Sequence, residues 1–552
     1  MDQKKLPRTI KGATEILRET STPQCSIYIE CDGEYFEHTL KQAPSNDKQP
    51  SPVYCIGSLT KIFIAYCLII LIQDAANEGN PSDDEFVERE EKLWDLSIEE
   101  HLGIELPGTP SIEDVVSHLK ELPSLNDFMF GPDGKVLIRK EQFPEIASHL
   151  AAAIEPGKDM PAWSYGNGGY VIAGLFIEKF AKCSVEEYLQ KNVFEPFEME
   201  NTYTSPLGLN EEKLAKPHSI SSNGDITPIV PVSHSDTIAF PATGIYSCPQ
   251  DLARFFKEIF SIASGRLDTT VHQERRVNRL LFGLVGLNDW RETEFSYCGL
   301  KTNMSTTVPG ILSMNRTVSD KSDSSAFEMG RDKAGKVLEV IYRGGLVTGY
   351  TSCIYLMPKH REFIIALSNA TGDVDVADYI ARYLIQELYG LRETSSLIPS
   401  QRDFDQRKAL FIEKVRQNRG EYSTHFRKLH SGLLRGDPIQ DRPELAGRYI
   451  NEEFGQYVLI ESGSDSSLSI RIGGDRDFNM EYFSREFRLT LVANDIVRIC
   501  IPPGADEDCF CIDIRQDWCD LTLQILQHED GSLRGLERKS RGFSVRYDRI
   551  TE

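Results

Sequence analysis

The chain has 552 residues, 40% of them hydrophobic, and a formal net charge of −23. At about 150 residues per domain, this length predicts two to four domains with sizeable cores. The negative charge excludes nonspecific nucleic-acid binding as a main activity, because such binding depends on Lys and Arg neutralising phosphates. Twelve cysteines without a C-x-x-C pair do not indicate a disulfide scaffold and favour reduced, mostly buried thiols.

The N-terminal residues and the length of the longest apolar run predict where the protein resides. Residues 1–7 carry charges with no apolar stretch after them, which indicates no secretory signal. The longest apolar run, residues 62–72, is shorter than the roughly 20 residues that span a bilayer. We therefore expect a soluble, cytoplasmic protein with no membrane partner.

The most informative motif is Ser58-Leu59-Thr60-Lys61, because the apolar run follows it directly. That run predicts a buried helix, and residues three apart share a helical face, so the Ser58 hydroxyl and the Lys61 amine would lie together. A serine hydroxyl needs a base within hydrogen-bond reach, and burial lowers a lysine pKa enough to supply one. Ser45 and Lys48 have the same spacing in a polar stretch, which we interpret as a surface loop.

Other catalytic chemistries lack their motifs. The eleven histidines include no H-x-H and no H-E-x-x-H, so a zinc site has little support. No G-x-x-x-x-G-K or G-x-G-x-x-G opens a helix after a strand, and no G-x-S-x-G is present. The sequence therefore predicts no metal, no cofactor and a serine nucleophile of the Ser-Lys-Tyr type.

The order of the motifs resembles the serine β-lactamase and penicillin-binding-protein superfamily. The similarity is to its class C β-lactamase-related branch of D-alanyl-D-alanine carboxypeptidases, esterases and natural-product acyltransferases. Residues 54–61 match the first motif and Tyr165-Gly166-Asn167 the Y-x-N motif. Further similar stretches are residues 174–179, 188–189, 194–202, 242–247 and 251–255. The resemblance implies an α+β, β-lactamase/transpeptidase-like domain with an antiparallel sheet flanked by helices.

The third motif departs from the usual pattern. Where the family has K-T-G or H-x-G on an edge strand beside the serine, this chain has Arg343-Gly344-Gly345. Arginine cannot exchange a proton at ordinary pH. Arg343 would therefore orient a substrate carboxylate, keep Lys61 neutral by repulsion, or only pair with a nearby acid. These alternatives remain open at the level of sequence.

The resemblance also implies roles for individual residues. Ser58 would attack a carbonyl and form an acyl-enzyme, while Lys61 and Tyr165 would share the proton transfers in an order that the sequence does not determine.

The remaining site residues would bind the substrate. Asn167 would hold Lys61 or the substrate, unless it only stabilises a turn. Arg343 and Gly345 belong to the third motif, and the backbone N–H groups of Ser58 and Leu346 would bind the oxyanion.

The domain organisation follows from the extent of the resemblance. We assign residues 1–392 to the catalytic domain, with an insert at about 265–337 that includes a helical stretch. Residues 77–91 read as a solvated loop within it. Residues 393–440 predict a linker and an amphipathic helix, and the short alternating runs of residues 441–552 predict a closed antiparallel β-barrel. Its opening, residues 445–449, resembles the start of the lipocalin-like domain appended to some members of the family.

These features predict a serine hydrolase or acyltransferase that acts on an ester, lactone or thioester small molecule. A natural-product or polyketide acyl group delivered by an acyl carrier fits an intracellular member of this family. The alternative is an inactive β-lactamase-fold binding protein that uses the barrel for interaction. The oligomeric state and the choice between hydrolysis and transfer remain open.

Overall fold

The computed structural model describes most of the chain, with gaps. The described residues are 6–42, 52–118, 129–130, 136–152, 165–221, 224–229, 231, 234–265, 270–283, 285–286, 294–303, 313, 315, 339–389, 404–429, 442–463, 467–474, 487–493, 495–500, 522–540 and 543–550.

Helices and strands intermingle in the described residues up to 429, and a 3-10 turn at Pro443–Leu445 and strands follow in the described residues after it. The α-helices in this part of the chain are α1 Leu6–Glu19, α2 Thr60–Ala76, α3 Asp83–Trp94, α4 Ile98–Leu102, α5 Ile112–Val116, α6 Phe143–Ala152, α7 Gly168–Ala181, α8 Val185–Leu189, α9 Phe240–Thr243, α10 Pro249–Ala263, α11 Val271–Phe282, α12 Val376–Tyr389 and α13 Phe404–Leu429. The strands are β1 Gln24–Cys31, β2 Glu34–Lys41, β3 Tyr54–Cys55, β4 His218–Ile220, β5 Ile226–Pro228, β6 Tyr246–Ser247, β7 Val285–Gly286, β8 Glu294–Ser296, β9 Gly299–Asn303, β10 Glu339–Val347, β11 Tyr350–Met357, β12 Glu362–Ser368, β13 Ala370–Thr371, β14 Gly447–Asn451, β15 Gln456–Ser462, β16 Leu468–Gly474, β17 Phe487–Ala493, β18 Ile496–Cys500, β19 Thr522–Gln527, β20 Leu533–Ser540 and β21 Phe543–Arg549.

An antiparallel sheet with helices on both faces forms the centre of the N-terminal part. Its eight strands run in the order β2-β1-β12-β11-β10-β9-β8-β7. Successive side chains point to opposite faces, so Tyr355 of β11 packs in one core while its neighbours Ile354 and Leu356 pack in the other. Helices α1, α12 and α13 cover the first face, and the layer that contains α2 covers the second. This arrangement confirms the predicted antiparallel sheet flanked by helices.

Helix α2 lies in the middle of the second core, as its all-round apolar sequence predicts. Gly57–Ala76 is long and apolar enough to cross a bilayer by length and composition alone, but 83% of that window is buried inside the protein. The burial is what a core helix requires, because its apolar surface already has protein partners.

The third motif does not lie on an edge strand, and that prediction is wrong. Strand β10 is the fifth of the eight strands, because β9, β8 and β7 continue the sheet beyond it. Pairing with β9 covers only residues 339–342 of β10. The half that carries Arg343 to Leu346 extends past β9, and the turn at Gly57 packs there instead.

Residues 77–91 are not a loop throughout, because α3 begins at Asp83. Ser82 and Glu85 form a reciprocal capping box at its start. Phe86, Glu90 and Trp94 follow at four-residue spacing and are buried. The sequence analysis did not predict this helix, because the many acidic residues of the stretch favoured a solvated loop.

The predicted insert contains α11, which agrees with the helical stretch expected there. Ser313 and Asn315 of the insert take part in a buried polar network with Asp375, Asp378 and Arg382 at and just before the start of α12. Ser313 donates a hydrogen bond to Asp375, Asn315 donates to Asp378, and Arg382 pairs with Asp378 at 2.9 Å. Burial and the nearby Asp378 carboxylate raise the pKa of Asp375 to about 7. The network attaches the insert to the face of the sheet opposite α2.

In the described residues after 445, eight antiparallel strands form a single sheet. They follow one another in sequence order from β14 to β21, and β14 also pairs with β21, which closes the sheet into a barrel. Inward residues such as Val458, Ile470, Leu523 and Leu536 are buried in its core. The predicted strand at residues 511–514 lies outside the described residues. Helix α13 matches the predicted amphipathic helix, whereas the domain limits themselves stay predictions.

We predict that Gly169→Ala destabilises the protein. A Cβ at Gly169 would lie 2.1 Å from the Val115 carbonyl oxygen, so α5 and α7 would have to separate. Overpacking of this kind costs about 1–3 kcal/mol of unfolding free energy, measurable by urea denaturation. Gly166→Ala is the matched control, because apart from its chain neighbours no described residue lies within 4 Å of its Cβ position. Equal stability of the two variants would contradict the prediction.

Candidate active site

Ser58 sits at the start of α2, in a turn held by two short strands. Strand β3 pairs with β6, and the Ile56 N–H donates to the Ile245 carbonyl at 2.9 Å. Gly57 then adopts a φ of +52°, a left-handed conformation that favours glycine, and a 3-10 turn over Gly57–Leu59 leads into the helix. Ser58 is 9% exposed.

Lys61 lies one turn further along α2 and is completely buried, and three oxygen atoms besides the Tyr165 hydroxyl contact its amine. Its Nζ is 3.0 Å from Ser58 Oγ, 2.7 Å from Asn167 Oδ1 and 2.9 Å from the Ala242 carbonyl oxygen. The Asn167 and Ala242 oxygens can only accept hydrogen bonds. A neutral amine would donate its two hydrogens to them and turn its lone pair towards Ser58. The arrangement therefore suits Lys61 as a base for the serine hydroxyl.

The pKa values of this group are shifted towards neutrality. Burial is the main cause that lowers the pKa of Lys61 to about 8, and the positive charge of Arg343 adds to it. For Tyr165, burial disfavours the phenolate, but the charges of Lys61 and Arg343 outweigh it and lower the pKa to about 8. Hydrogen bonds with Ser58 and Lys61 also favour the phenolate. Both groups can therefore exchange protons near neutral pH.

The second motif reaches the site from the start of α7. Asn167 immediately precedes the first residue of this helix, and its side-chain oxygen accepts a hydrogen bond from Lys61. Of the two roles predicted for Asn167, the contact with Lys61 is present. Tyr165 lies two residues earlier, with its ring centroid 5.3 Å from Lys61 Nζ.

The third motif brings β10 against the serine turn. A Cβ at Gly345 would lie 2.4 Å from the Ile56 carbonyl oxygen and 3.1 Å from Ser58 N. A Cβ at Gly57 would lie 2.9 Å from Leu346 N. Only glycine permits this approach, which places the backbone nitrogens of Ser58 and Leu346 on the two adjoining segments. That is the placement which the predicted oxyanion-binding role requires.

Arg343 is fully buried and pairs with carbonyl oxygens. Its Nε donates to the Ser58 carbonyl at 3.1 Å and its Nη1 to the Tyr297 carbonyl at 3.4 Å. Among the described residues, no carboxylate forms an ion pair with Arg343. Burial opposes contact with a substrate carboxylate, and the missing acid opposes a simple ion pair. The geometry favours the remaining alternative, in which the charge of Arg343 keeps Lys61 neutral by repulsion, and the same charge also lowers the pKa of Tyr165.

Several residues at the site were not identified from the sequence. The carbonyls of Ala242 and Tyr297 carry no side-chain signal, although residues 242–247 belong to a stretch similar to the family. Three aromatic residues, Phe240, Tyr246 and Phe295, are buried. Phe295 lies beside the site, with its ring centroid 5.7 Å from the Arg343 guanidinium.

We predict that Arg343→Met moves the pH dependence of Ser58 acylation to higher pH. The competent, deprotonated Lys61–Tyr165 pair is populated above a pKa of about 8 and is lost as the pH falls. Because Arg343 lowers both pKa values, its removal raises them, and a pKa that is higher by one lowers the rate at pH 7 about tenfold. Arg343→Lys is the control that keeps the charge. An unchanged pH profile in the Met variant would reject the electrostatic role.

Two curated proteins are similar to parts of the chain. Penicillin-binding protein 4* of Bacillus subtilis (strain 168) is 24% identical over 189 residues, covering 32% of this chain and 37% of that protein. An unguisins hydrolase of Aspergillus campestris (strain IBT 28561) is 24% identical over 175 residues, covering 30% of each. The chain thus spans about a third of the length of the curated relatives that it matches.

Solved structures show the fold. The octameric penicillin-binding protein homologue from Pyrococcus abyssi has a TM-score of 0.50 at 17% identity and covers 99% of this chain and 100% of its own. A class C beta-lactamase in complex with cefoxitin has a TM-score of 0.51 at 15% identity, covering 70% and 99%. The family model described as Beta-lactamase matches residues 48–388. The chain therefore belongs to the beta-lactamase family, whose members are serine hydrolases.

Proposed function

We propose that the protein forms an acyl-enzyme at Ser58 and acts on an ester, lactone or thioester of a small molecule. The observation that carries the proposal is the completely buried Lys61, whose Nζ lies 3.0 Å from Ser58 Oγ. A lysine with a pKa of about 8 in this position can lose its proton near neutral pH and act as a base. A serine with such a base is an activated nucleophile.

The proposed first step forms one bond and breaks another. The Ser58 oxygen attacks the substrate carbonyl while its proton passes to the Lys61–Tyr165 pair. The oxyanion is held by the N–H groups of Ser58 and Leu346, a contribution of about 3 kcal/mol for each donor in comparable enzymes. The carbon–oxygen or carbon–sulfur bond to the leaving group then breaks, and the same pair returns the proton to the leaving group.

The second step decides between hydrolysis and transfer. Water, or an alcohol, amine or thiol acceptor, would attack the acyl-Ser58 carbonyl and give its proton to the Lys61–Tyr165 pair. The bond between the acyl carbon and Ser58 Oγ then breaks, and the pair returns the proton to the Ser58 oxygen. The unguisins hydrolase among the curated relatives favours water as the acceptor, because its name describes a hydrolase. A natural-product acyl group delivered by a carrier protein, a cytoplasmic location and a lipocalin-like character of the barrel remain parts of the proposal.

We predict that Lys61→Met retains the fold but loses acylation. Methionine keeps most of the stem volume and removes the amine, so the rate should fall by about 10²–10⁴. Lys92→Met is the control, because Lys92 is exposed on α3 and pairs with Glu88 on the same helix. Stopped-flow measurement of leaving-group release gives the rates. Acylation of the Lys61 variant at the wild-type rate would rule out the base assignment.

The main test is the intact mass of the protein after incubation with activated esters, acyl thioesters and a β-lactam. We expect an added acyl mass that is absent in Ser58→Ala, and the compounds that give it would define the leaving-group class. Turnover that depends on Ser58 without a trapped adduct would also support the proposal. If no compound gives an adduct or Ser58-dependent turnover, the proposed function is wrong for these classes.

A further inference from the structure

A buried histidine lies directly behind Tyr165. His118 follows α5 after Ser117 and is 3% exposed. Its φ is +59°, a left-handed conformation that non-glycine residues rarely adopt. Such strain persists only where the surroundings hold the residue in place, and it is concentrated at functional sites.

Close packing of two helices holds His118 at this point. The Val115 carbonyl at the end of α5 meets the start of α7 at Gly169, where a Cβ would lie only 2.1 Å from it. Three residues after Val115, the chain reaches His118. Four residues before Gly169, it reaches Tyr165. The contact between the helices therefore sets the two side chains opposite each other.

His118 contacts both the ring and the backbone of the second motif. The His118 and Tyr165 ring centroids are 4.7 Å apart at an interplanar angle of 42°. The Gly166 N–H donates to His118 Nδ1 at 3.4 Å. The rings of Tyr170 and Phe295 enclose the imidazole at 5.6 and 5.1 Å.

The charge state of His118 follows from these surroundings. Because Nδ1 accepts from Gly166, the ring proton of the neutral imidazole belongs on Nε2. Burial, followed by the positive charges of Arg343 and Lys61, lowers the pKa of His118 well below its ordinary value. The phenols of Tyr165 and Tyr170 also face it. His118 is therefore neutral at any pH at which the Lys61–Tyr165 pair titrates.

We propose that His118 is a positioning residue which, as a neutral ring, fixes Gly166 through Nδ1 and blocks rotation of the Tyr165 ring away from Ser58 and Lys61. The proposal rests on the proposed function only for its kinetic consequences. In structural terms, His118 keeps Tyr165 beside the positive charges of Lys61 and Arg343. When His118 no longer holds it there, the phenolate loses that stabilisation.

Three substitutions separate the contributions of His118. His118→Asn keeps an acceptor at the δ1 position and tolerates the left-handed backbone, but lacks the ring. His118→Phe keeps a ring and lacks the acceptor. His118→Gly removes both and relieves the backbone strain.

The first readout is a spectroscopic pH titration of the Tyr165 phenolate, taken as the absorbance difference between each protein and the same protein carrying Tyr165→Phe. The wild-type transition should lie near the Tyr165 pKa of about 8. We expect the Gly variant to titrate at least one pH unit higher, with Asn and Phe between, which is roughly a tenfold loss of phenolate at pH 7. This readout requires no substrate.

The second readout is the pH profile of Ser58 acylation by the activated ester that labels the wild-type protein. We expect its rising limb to move to higher pH by the same amount as the phenolate transition. An unshifted phenolate transition in the folded Gly and Phe variants would overturn the proposal. So would a fall in acylation rate at every pH with an unshifted limb, because that is general damage to the site. If the wild-type protein is never acylated, the proposed function fails while the phenolate titration still decides the role of His118.

Discussion

The burial of the Lys61 amine in an apolar helix is the constraint on which the rest of the site depends. An amine without hydrogen-bond partners in such a core would be strongly unfavourable. Its partners come from separate parts of the chain, Asn167 at the start of α7 and the Ala242 carbonyl in α9. The core therefore forms with these elements in place, and folding of the N-terminal part assembles the proton-transfer group in the same process.

A second cation in the same volume determines the electrostatics. Arg343 and Lys61 both lie within about 6 Å of the Tyr165 ring, and each favours the deprotonated form of the groups around it. Arg343 accomplishes this without exchanging a proton, because its guanidinium stays charged. The departure from K-T-G or H-x-G thus preserves positive charge beside the tyrosine while it removes a group that can titrate.

The sequence predicted those parts of the molecule whose signals are local. The spacing of Ser58 and Lys61 and the apolar run after them indicated α2 and its buried lysine, and alternating runs indicated the barrel strands. The packing of β10 was predicted incorrectly, because strand order in a sheet depends on partners such as β9 that are separated from β10 by the insert. Helix α3 was not predicted because only three of its residues are buried at helical spacing, and the many charged residues around them hide this pattern. His118 was missed because its environment depends on how α5 meets α7, which is a tertiary contact.

The partners of the two buried cations have a further consequence. Lys61 donates to the carbonyl of Ala242, and Arg343 donates to the carbonyls of Ser58 and Tyr297. A main-chain oxygen is present whatever side chain the residue carries, so these hydrogen bonds survive replacement of the residue at 242 or 297 wherever the backbone keeps its path. The residue types at these two positions can therefore change without direct loss of the hydrogen bonds to Lys61 and Arg343. Replacement at these positions is limited instead by packing, because Ala242 is 1% exposed and Tyr297 is 2% exposed.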